Sequence, residues 1–194
     1  MKTITITSNN RLEYLKPMLE SLSKNDTQGW EIFMSIEPSE VREKSMDIAE
    51  NLFPNINFIL PEEQLGVTQN PYNLLEHVFS EVGSTQNIYL EDDLLLSPDI
   101  CNLANWYFLS QSKYEDITCL CLCNPHQSSF GIQYDQDSAM ISLDNGHGFS
   151  ALGLFLSRRS WLTNFKSQWV DYIEKEFDYR EEGFWFMNNG KPTY

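Results

Sequence analysis

A short apolar segment, Asn87–Leu90, runs directly into three acidic residues, Glu91, Asp92 and Asp93. The segment has the length and composition of a buried β-strand. Burying three unpaired carboxylates is prohibitively costly, so the acids must emerge at the sheet edge and face water, basic side chains or a cation. Ligand sites of open α/β sheets lie beyond the carboxyl ends of strands, and hard oxygen ligands suit Mg²⁺ or Mn²⁺. A strand that ends in a solvated acidic turn is the alternative interpretation.

Strand-like and helix-like segments alternate along the chain, which predicts a parallel or mixed sheet covered by helices on both faces. Strands are predicted at residues 3–7, 30–36, 55–60, 87–90, 117–123, 138–143 and 152–157. The first helix is expected to begin near Lys16, because Pro17 argues against an earlier start. The other helices are predicted from a Ser39 N-cap to about Asn51, from Thr68 or Asn70 to about Val82, from Ser97 to about Ser112, and over residues 158–165 and 168–177.

Composition narrows the class of protein. The 194 residues predict one domain, and the formal net charge of -15 leaves no basic face for nucleic acid. No apolar stretch reaches the roughly 18 residues of a membrane-spanning helix. Cys119, Cys121 and Cys123 alternate along a predicted strand without disulfide or zinc spacing, so we expect reduced cysteines and a cytoplasmic protein.

Four segments together resemble a known family. They are Thr7–Leu15 after the first strand, Glu37 at the end of the second, Gln64–Asn70 before a helix, and Tyr89–Leu94 with its three acids. In this order they are similar to glycosyltransferases of the GT-A fold, especially the inverting family 2 enzymes and the N-acetylglucosaminyltransferases of family 13. The resemblance implies a Rossmann-like, three-layer α/β/α fold with a mostly parallel mixed sheet. It also implies a nucleotide-sugar-binding half over residues 1–123 and an acceptor-side half over residues 124–194.

The resemblance also assigns roles to individual residues. Asp93 is expected to ligate Mn²⁺ or Mg²⁺, and Asp178 is the candidate catalytic base, with Asp171 as its rival. On their chemistry, Trp161, Trp169, Trp185 and Phe184 could stack on an acceptor sugar, and some of them are expected to be core aromatics instead. The residues implied to bind the nucleotide-sugar donor are Thr7, Asn9, Arg11, Glu37, Gly66, Asn70, Glu91 and Asp92.

The implied reaction is the inverting transfer of a hexosyl or N-acetylhexosaminyl group from a nucleotide-sugar donor, UDP-linked by resemblance, to a saccharide or other hydroxyl acceptor. Two alternatives stay open. A nucleotidyltransferase also uses acids and Mg²⁺ on an α/β sheet, but its opening loop is glycine-rich and Thr7–Leu15 contains no glycine. The second alternative is a non-catalytic module that binds a nucleotide or a carbohydrate. The given sequence ends at Gly190–Tyr194 with what resembles the start of a further strand, which would be expected of a truncated or minimal form.

Overall fold

The computed structural model describes residues 1–110, 119–122, 153–174, 186–188 and 191–193. A six-stranded sheet runs through this part of the chain in the order β3-β2-β1-β4-β6-β5. Neighbouring strands from β3 to β4 are parallel, whereas β6 runs antiparallel to both β4 and β5. The strands are β1 Lys2–Ser8, β2 Trp30–Ile36, β3 Asn57–Ile59, β4 Gln86–Glu91, β5 Cys119–Cys121 and β6 Leu154–Ser157.

Helices cover both faces of the sheet, as the alternating pattern predicts. One core joins the sheet to α1 (Leu12–Leu22), α2 (Arg42–Leu52) and α4 (Ile100–Ser110). A second core joins the opposite face to α3, which is Gly66–Glu76 extended by a π-helical turn, His77–Glu81, and to α5. Helix α5 runs through Arg158–Ser160, a π-helical turn at Trp161–Phe165, and Lys166–Glu174. Two further strands, β7 (Phe186–Asn188) and β8 (Lys191–Thr193), pair as an antiparallel ribbon.

The predicted start of α1 is wrong. The helix begins at Leu12 and contains Pro17, because the Arg11 carbonyl already accepts hydrogen bonds from the N–H groups of Tyr14 and Leu15. Pro17 removes one internal hydrogen bond. The helix tolerates that loss because it buries an apolar stripe of Leu15, Met18, Leu19 and Leu22 against the sheet.

Other helix boundaries also differ from the sequence-based expectation. Ser39 does not cap α2, which begins at Arg42 after a turn, and the Ser39 Oγ atom has no hydrogen-bond partner among the described residues. Helix α3 begins earlier than predicted, at Gly66. The helices predicted over residues 158–165 and 168–177 join without a break into α5, which is described as far as Glu174, because buried Trp161 and Phe165 extend the packed face across the expected gap.

The edge strands and the cysteines can also be compared with the sequence predictions. Strand β3 spans Asn57–Ile59 and is shorter than expected. Strand β5 is described over Cys119–Cys121, and residues 117, 118 and 123 of its predicted range lie outside the described residues. No disulfide joins Cys101, Cys119 and Cys121, the cysteines within the described residues. The strand predicted at 138–143 lies outside the described residues. No helix in the described part of the chain is both long and apolar enough to cross a membrane.

Candidate functional site

The strand order reverses between β1 and β4. The chain moves outward from β1 to β2 and β3 on one side, and then returns to place β4 on the other side of β1. In the parallel register Ser8 lies beside Ile36 and Thr7 lies beside Glu91, so three strands end at the same level. Parallel sheets of this kind bind ligands in the crevice at such a switch point.

A cleft of about 150 Å³ opens at this switch point. All eight residues predicted to bind the donor lie on its wall, although they come from four separate segments of the chain. The predicted metal ligand, Asp93, lies next to this wall, beside Arg11. The lining residues are Thr7, Ser8, Asn9, Arg11, Glu37, Gln64, Gly66, Val67, Asn70, Pro71, Tyr89, Glu91 and Asp92.

Arg11 bridges two of the three acids that follow β4. Its Nη2 atom pairs with Asp92 Oδ1, and its Nη1 atom donates to Asp93 Oδ2 at 3.1 Å. Asp92 is buried, with 1% of its side chain exposed, and its Oδ2 atom accepts a hydrogen bond from the backbone N–H of Asn9 at 3.2 Å. The guanidinium and Asp93 are 44% and 31% exposed. Partial burial lowers the pKa of Arg11, but the two carboxylates outweigh it and raise that pKa overall.

The acids differ in how well they could hold a divalent cation. Both oxygens of Asp92 are already engaged, whereas Asp93 keeps a partly exposed carboxylate. Among the described residues, no group of three or more His, Cys, Asp and Glu side chains is arranged to hold a metal ion. An ion of the Mg²⁺ type, however, keeps several waters and needs one or two carboxylates when substrate phosphates also bind it. Asp93 fits that mode of binding, and Asp92 fits poorly as a second ligand.

Glu91 is tied to the interior of the sheet. The buried Tyr89 hydroxyl donates to Glu91 Oε1 at 3.1 Å and lies 3.0 Å from the Thr7 hydroxyl. Burial, reinforced by the charges of Asp93 and Asp92, raises the pKa of Glu91, although the Tyr89 hydrogen bond and the Arg11 charge act against that shift. Burial also raises the pKa of Tyr89 far above its ordinary value, so the phenol stays protonated and acts as a donor.

Glu37 forms the opposite wall of the cleft. Its side chain is buried, with a residue exposure of 2%, and its Oε1 atom accepts a 2.7 Å hydrogen bond from the backbone N–H of Gly66. Its Oε2 atom and the Oγ atom of Ser8 are buried and have no partner among the described residues. Both residues line the cleft. A buried polar atom that lacks a partner is costly, so two of them at one cleft indicate a place for a ligand that donates hydrogen bonds.

Helix α3 supplies the floor beside Glu37. Asn70 is buried within the helix and its Oδ1 atom accepts a 2.5 Å hydrogen bond from the Ser35 hydroxyl of β2. Gly66 begins the helix with a φ of +77°, a left-handed conformation that favours glycine. The turn therefore aims the Gly66 N–H at the Glu37 carboxylate.

Only some of the residues predicted to serve the acceptor side are among the described residues. Asp178, Trp185 and Phe184 lie outside the described residues, and Asp171 lies in the last stretch of α5 (Lys166–Glu174). Trp161 and Trp169 are buried in the second core. These two are therefore core aromatics, as was expected for some of the four, since the sheet and α3 already cover them.

The sequence interpretation missed several residues of the cleft. Tyr89 belongs to a predicted strand and Ser8 directly follows one, but their side chains were not assigned to the site. Alternation along β1 and β4 could have found Tyr89, because Thr7 and Tyr89 share a face. Ser8 carries no comparable signal, because an isolated serine at a strand end is common.

Comparison with known proteins reveals similarity at the level of structure. No family model and no curated protein matches this sequence. A 4-diphosphocytidyl-2C-methyl-D-erythritol synthase from Anaerococcus prevotii superposes with a TM-score of 0.56 at 11% identity, covering 92% of this chain and 78% of that one. At this identity the similarity shows a shared fold alone. It confirms the prediction of a Rossmann-like α/β fold with a mostly parallel sheet.

Two further solved structures show weaker similarity. A fragment of TarS from S. aureus, residues 1–349, has a TM-score of 0.48 at 14% identity, covering 57% of this chain and 33% of that fragment. The glycosyltransferase GlyE from Streptococcus pneumoniae has a TM-score of 0.47 at 16% identity, covering 94% of this chain and 40% of GlyE. This chain thus spans well under half the length of either protein.

Proposed function

We propose that this protein is a metal-dependent, inverting glycosyltransferase that uses a nucleotide-sugar donor, with UDP as the nucleotide. One observation carries the proposal. The cleft at the β1–β4 switch point has buried, unpartnered acceptor atoms on one wall and a cationic Arg11 beside exposed Asp93 on the other. A nucleoside diphosphate offers the matching groups, because its base and ribose donate hydrogen bonds and its phosphates carry negative charge.

Glu37 and Ser8 would bind the nucleoside. The Glu37 Oε2 atom is positioned to accept from a base N–H or a ribose hydroxyl, while Gly66 holds the other carboxylate oxygen. The Ser8 hydroxyl adds a second polar contact at the end of β1. A neutral donor group would relieve the cost of leaving both atoms buried without partners. Asn70 and Thr7 support the same wall from α3 and β1.

Arg11 and Asp93 would serve the diphosphate. A guanidinium binds phosphate oxygens in a bidentate manner, and Arg11 lies at the mouth of the cleft with 44% of its side chain exposed. Asp93 would hold Mn²⁺ or Mg²⁺, which supplies positive charge against the negative charge of the leaving diphosphate. Asp92 would keep Arg11 and the Asn9 backbone in place. Glu91, whose pKa is raised by burial, would face the ribose or the donor sugar.

The transfer itself needs a base on the acceptor side. As the acceptor oxygen bonds to the anomeric carbon, the bond from that carbon to the diphosphate oxygen breaks and UDP departs with the bonding electrons. The hydroxyl proton passes to a carboxylate, for which Asp178 is the candidate and Asp171 its rival. Such a base contributes about 10²- to 10⁴-fold in rate. The acceptor is a saccharide or another hydroxyl compound, and the cytoplasmic location stays a prediction.

The decisive experiment measures UDP binding and UDP release. Isothermal titration of UDP with Mn²⁺ should give saturable binding to the wild type, with much weaker binding in Asp93→Ala. Glu50→Ala on the exposed face of α2 is the matched control, because it changes the net charge equally and lies outside the cleft. A panel of UDP-sugars with simple sugar acceptors should release UDP, and the anomeric configuration of the product should be inverted.

The same experiment separates the alternative functions. Pyrophosphate release from a nucleoside triphosphate, without UDP release from UDP-sugars, would replace the proposal with a nucleotidyltransferase. UDP binding without turnover in Mn²⁺ or Mg²⁺ would leave a binding module. Absence of UDP binding, or equal UDP binding by wild type and Asp93→Ala, would contradict the proposed role of the metal site.

A further inference from the structure

Arg42 lies directly behind the nucleoside wall of the cleft. It is the first residue of α2, and its guanidinium points back at the carboxyl end of β2. The Nη2 atom donates to the Ile36 carbonyl at 2.7 Å and to the Pro61 carbonyl at 2.6 Å, and the Nε atom donates to the Glu37 carbonyl at 3.2 Å. One side chain therefore connects two separate stretches of backbone.

These carbonyls lie where the β2–β3 ladder ends. The last paired residues of that ladder are Ser35 on β2 and Ile59 on β3. Beyond this point the two segments diverge, and Arg42 links them because it donates hydrogen bonds to carbonyls on both. The segment after Pro61 leads to Gly66, whose N–H holds the Glu37 carboxylate. The Glu37 N–H also donates to the Ser8 carbonyl at 3.0 Å, which ties the residue to β1. The other two contacts, at its carbonyl and at its carboxylate, come from Arg42 itself and from the segment that Arg42 joins to β2.

We propose that Arg42 is a positioning residue for the nucleoside wall, holding Glu37 and the 61–66 segment at the spacing that keeps Glu37 Oε2 facing the cleft. Arg42 does not line the cleft itself, so it acts through Glu37 and Gly66. This inference rests on the proposed function, which supplies UDP as the ligand. The effect of Arg42 on the position of the 61–66 segment can be tested without any ligand.

The geometry explains why the residue is arginine. A planar guanidinium offers several donors in a fixed arrangement and can bond to three carbonyls from two directions. A lysine ammonium keeps the charge but is a compact donor on a flexible chain. Arg42→Lys should therefore keep the fold and the net charge while loosening the connection between the two segments. Arg42→Gln is a second variant that removes the charge as well.

A double-mutant cycle on UDP affinity tests the role. Arg42→Lys should weaken UDP binding about tenfold, as expected when a charge-assisted network is broken. In a Glu37→Gln background the same substitution should have a much smaller effect, since Glu37 is the group that Arg42 positions. Effects of Arg42→Lys and Glu37→Gln that simply add, or a change in UDP affinity of less than about twofold for Arg42→Lys, would overturn the proposal.

Asn25 offers a matched control. Its buried side chain also connects separate backbone segments, donating to the carbonyls of Ser21 and Ser97 and accepting from the Cys101 N–H, but it does not line the cleft. Asn25→Ala should lower the melting temperature and leave UDP affinity within about twofold. An equal loss of UDP affinity in Asn25→Ala and Arg42→Lys would show that general destabilisation explains both, and would refute positioning.

Amide hydrogen exchange tests the inference without nucleotide. If Arg42 holds the wall together, Arg42→Lys should accelerate exchange of the Gly66 N–H while the Cys101 N–H stays as protected as in the wild type. Unchanged protection at Gly66 would overturn the proposal even if UDP binds. If the wild type binds no UDP, the proposed function fails, whereas selective exchange at Gly66 would still support the positioning role.

Discussion

Glu76 connects the two helices on the α3 side of the sheet, and its replacement should destabilise the protein in a pH-dependent way. The carboxylate belongs to α3 and accepts hydrogen bonds from Lys166 Nζ at 2.6 Å, Ser80 Oγ at 2.6 Å and Trp161 Nε1 at 3.0 Å. Lys166 and Trp161 both belong to α5. One acid therefore holds α3, which carries Gly66 and Asn70, against α5.

The magnitude follows from what each partner loses in Glu76→Ala. Trp161 is fully buried, and leaving its indole N–H unsatisfied costs about 1–3 kcal/mol. The Lys166 side chain is 37% exposed, so its ion pair is screened by solvent and contributes about 1 kcal/mol or less. The free energy of unfolding should fall by about 1–4 kcal/mol in total. Glu76→Gln keeps an acceptor for Trp161, so we expect a loss of about 1 kcal/mol.

The pH dependence has a defined sign. Partial burial raises the pKa of Glu76, but hydrogen bonds from Lys166, Ser80 and Trp161 outweigh it and bring the pKa below the ordinary value of 4.5. A carboxylate with a lowered pKa in the folded state adds stability above its unfolded pKa, and that stability is lost as pH falls through the folded pKa. The difference in stability between wild type and Glu76→Gln should therefore be full at pH 7 and shrink below about pH 4.5.

Urea unfolding followed by tryptophan fluorescence measures these differences at pH 7 and at several acidic values. Glu81→Gln is the control, because Glu81 is 72% exposed and pairs with His77 on its own helix, where a pair contributes about 0.5 kcal/mol or less. The reasoning is refuted if Glu76→Ala costs no more than Glu81→Gln at pH 7. If the stability difference between wild type and Glu76→Gln does not change with pH, the role of the Glu76 charge is refuted, but the role of its hydrogen bonds is not.

Two further predictions concern the cleft. Arg11→Gln should strengthen Mn²⁺ binding in the absence of nucleotide by about tenfold or less, because a cation no longer competes for Asp93, and should weaken UDP binding. Electron paramagnetic resonance of free Mn²⁺ and UDP calorimetry measure both effects, and an unchanged Mn²⁺ affinity would contradict the competition. Gly66→Ala should cost about 1–2 kcal/mol through backbone strain, since its φ is +77° and an added Cβ meets nothing within 4 Å. Gly83 is the control, because it has the same φ and the same open space around an added Cβ. Both alanine variants should be destabilised equally, but only Gly66→Ala should lose UDP affinity. Equal UDP affinity in both variants would show that Gly66 does not belong to the site.

The sequence was sufficient to predict where the candidate site lies. Runs such as Lys2–Ser8 and Trp30–Ile36 are rich in β-branched and apolar residues, and each ends at polar residues. Because parallel strands end at a common edge, residues that follow different strands are brought together without any knowledge of their contacts. This is why Thr7, Glu37 and Glu91, which the resemblance to the GT-A family assigned to donor binding, lie at one cleft.

The partners of these residues could not be predicted in the same way. Arg11 was predicted to bind the nucleotide-sugar donor, and the structure adds that it bridges Asp92 and Asp93. The Ser39 cap failed because Arg42 bonds to the carbonyls of Ile36, Glu37 and Pro61, and α2 begins at Arg42 after a turn. Tertiary hydrogen bonds of this kind depend on distant segments, whereas local patterns report only on neighbours along the chain.

The register between β1 and β4 is the feature on which this site most depends, and buried polar pairs fix it. Thr3 Oγ1 donates to Asn87 Oδ1 at 2.8 Å, and Asn87 Nδ2 donates to Thr5 Oγ1 at 2.8 Å. A slip of one residue would turn every side chain to the other face, but a slip of two would keep the apolar pattern intact. The polar pairs oppose a slip of two residues, because such a slip would leave buried donors and acceptors unpaired at a cost of about 1–3 kcal/mol each. The threonines of β1 thus hold Arg11 level with Asp92, and the geometry of the cleft begins in the interior of the sheet, at Thr3 and Asn87.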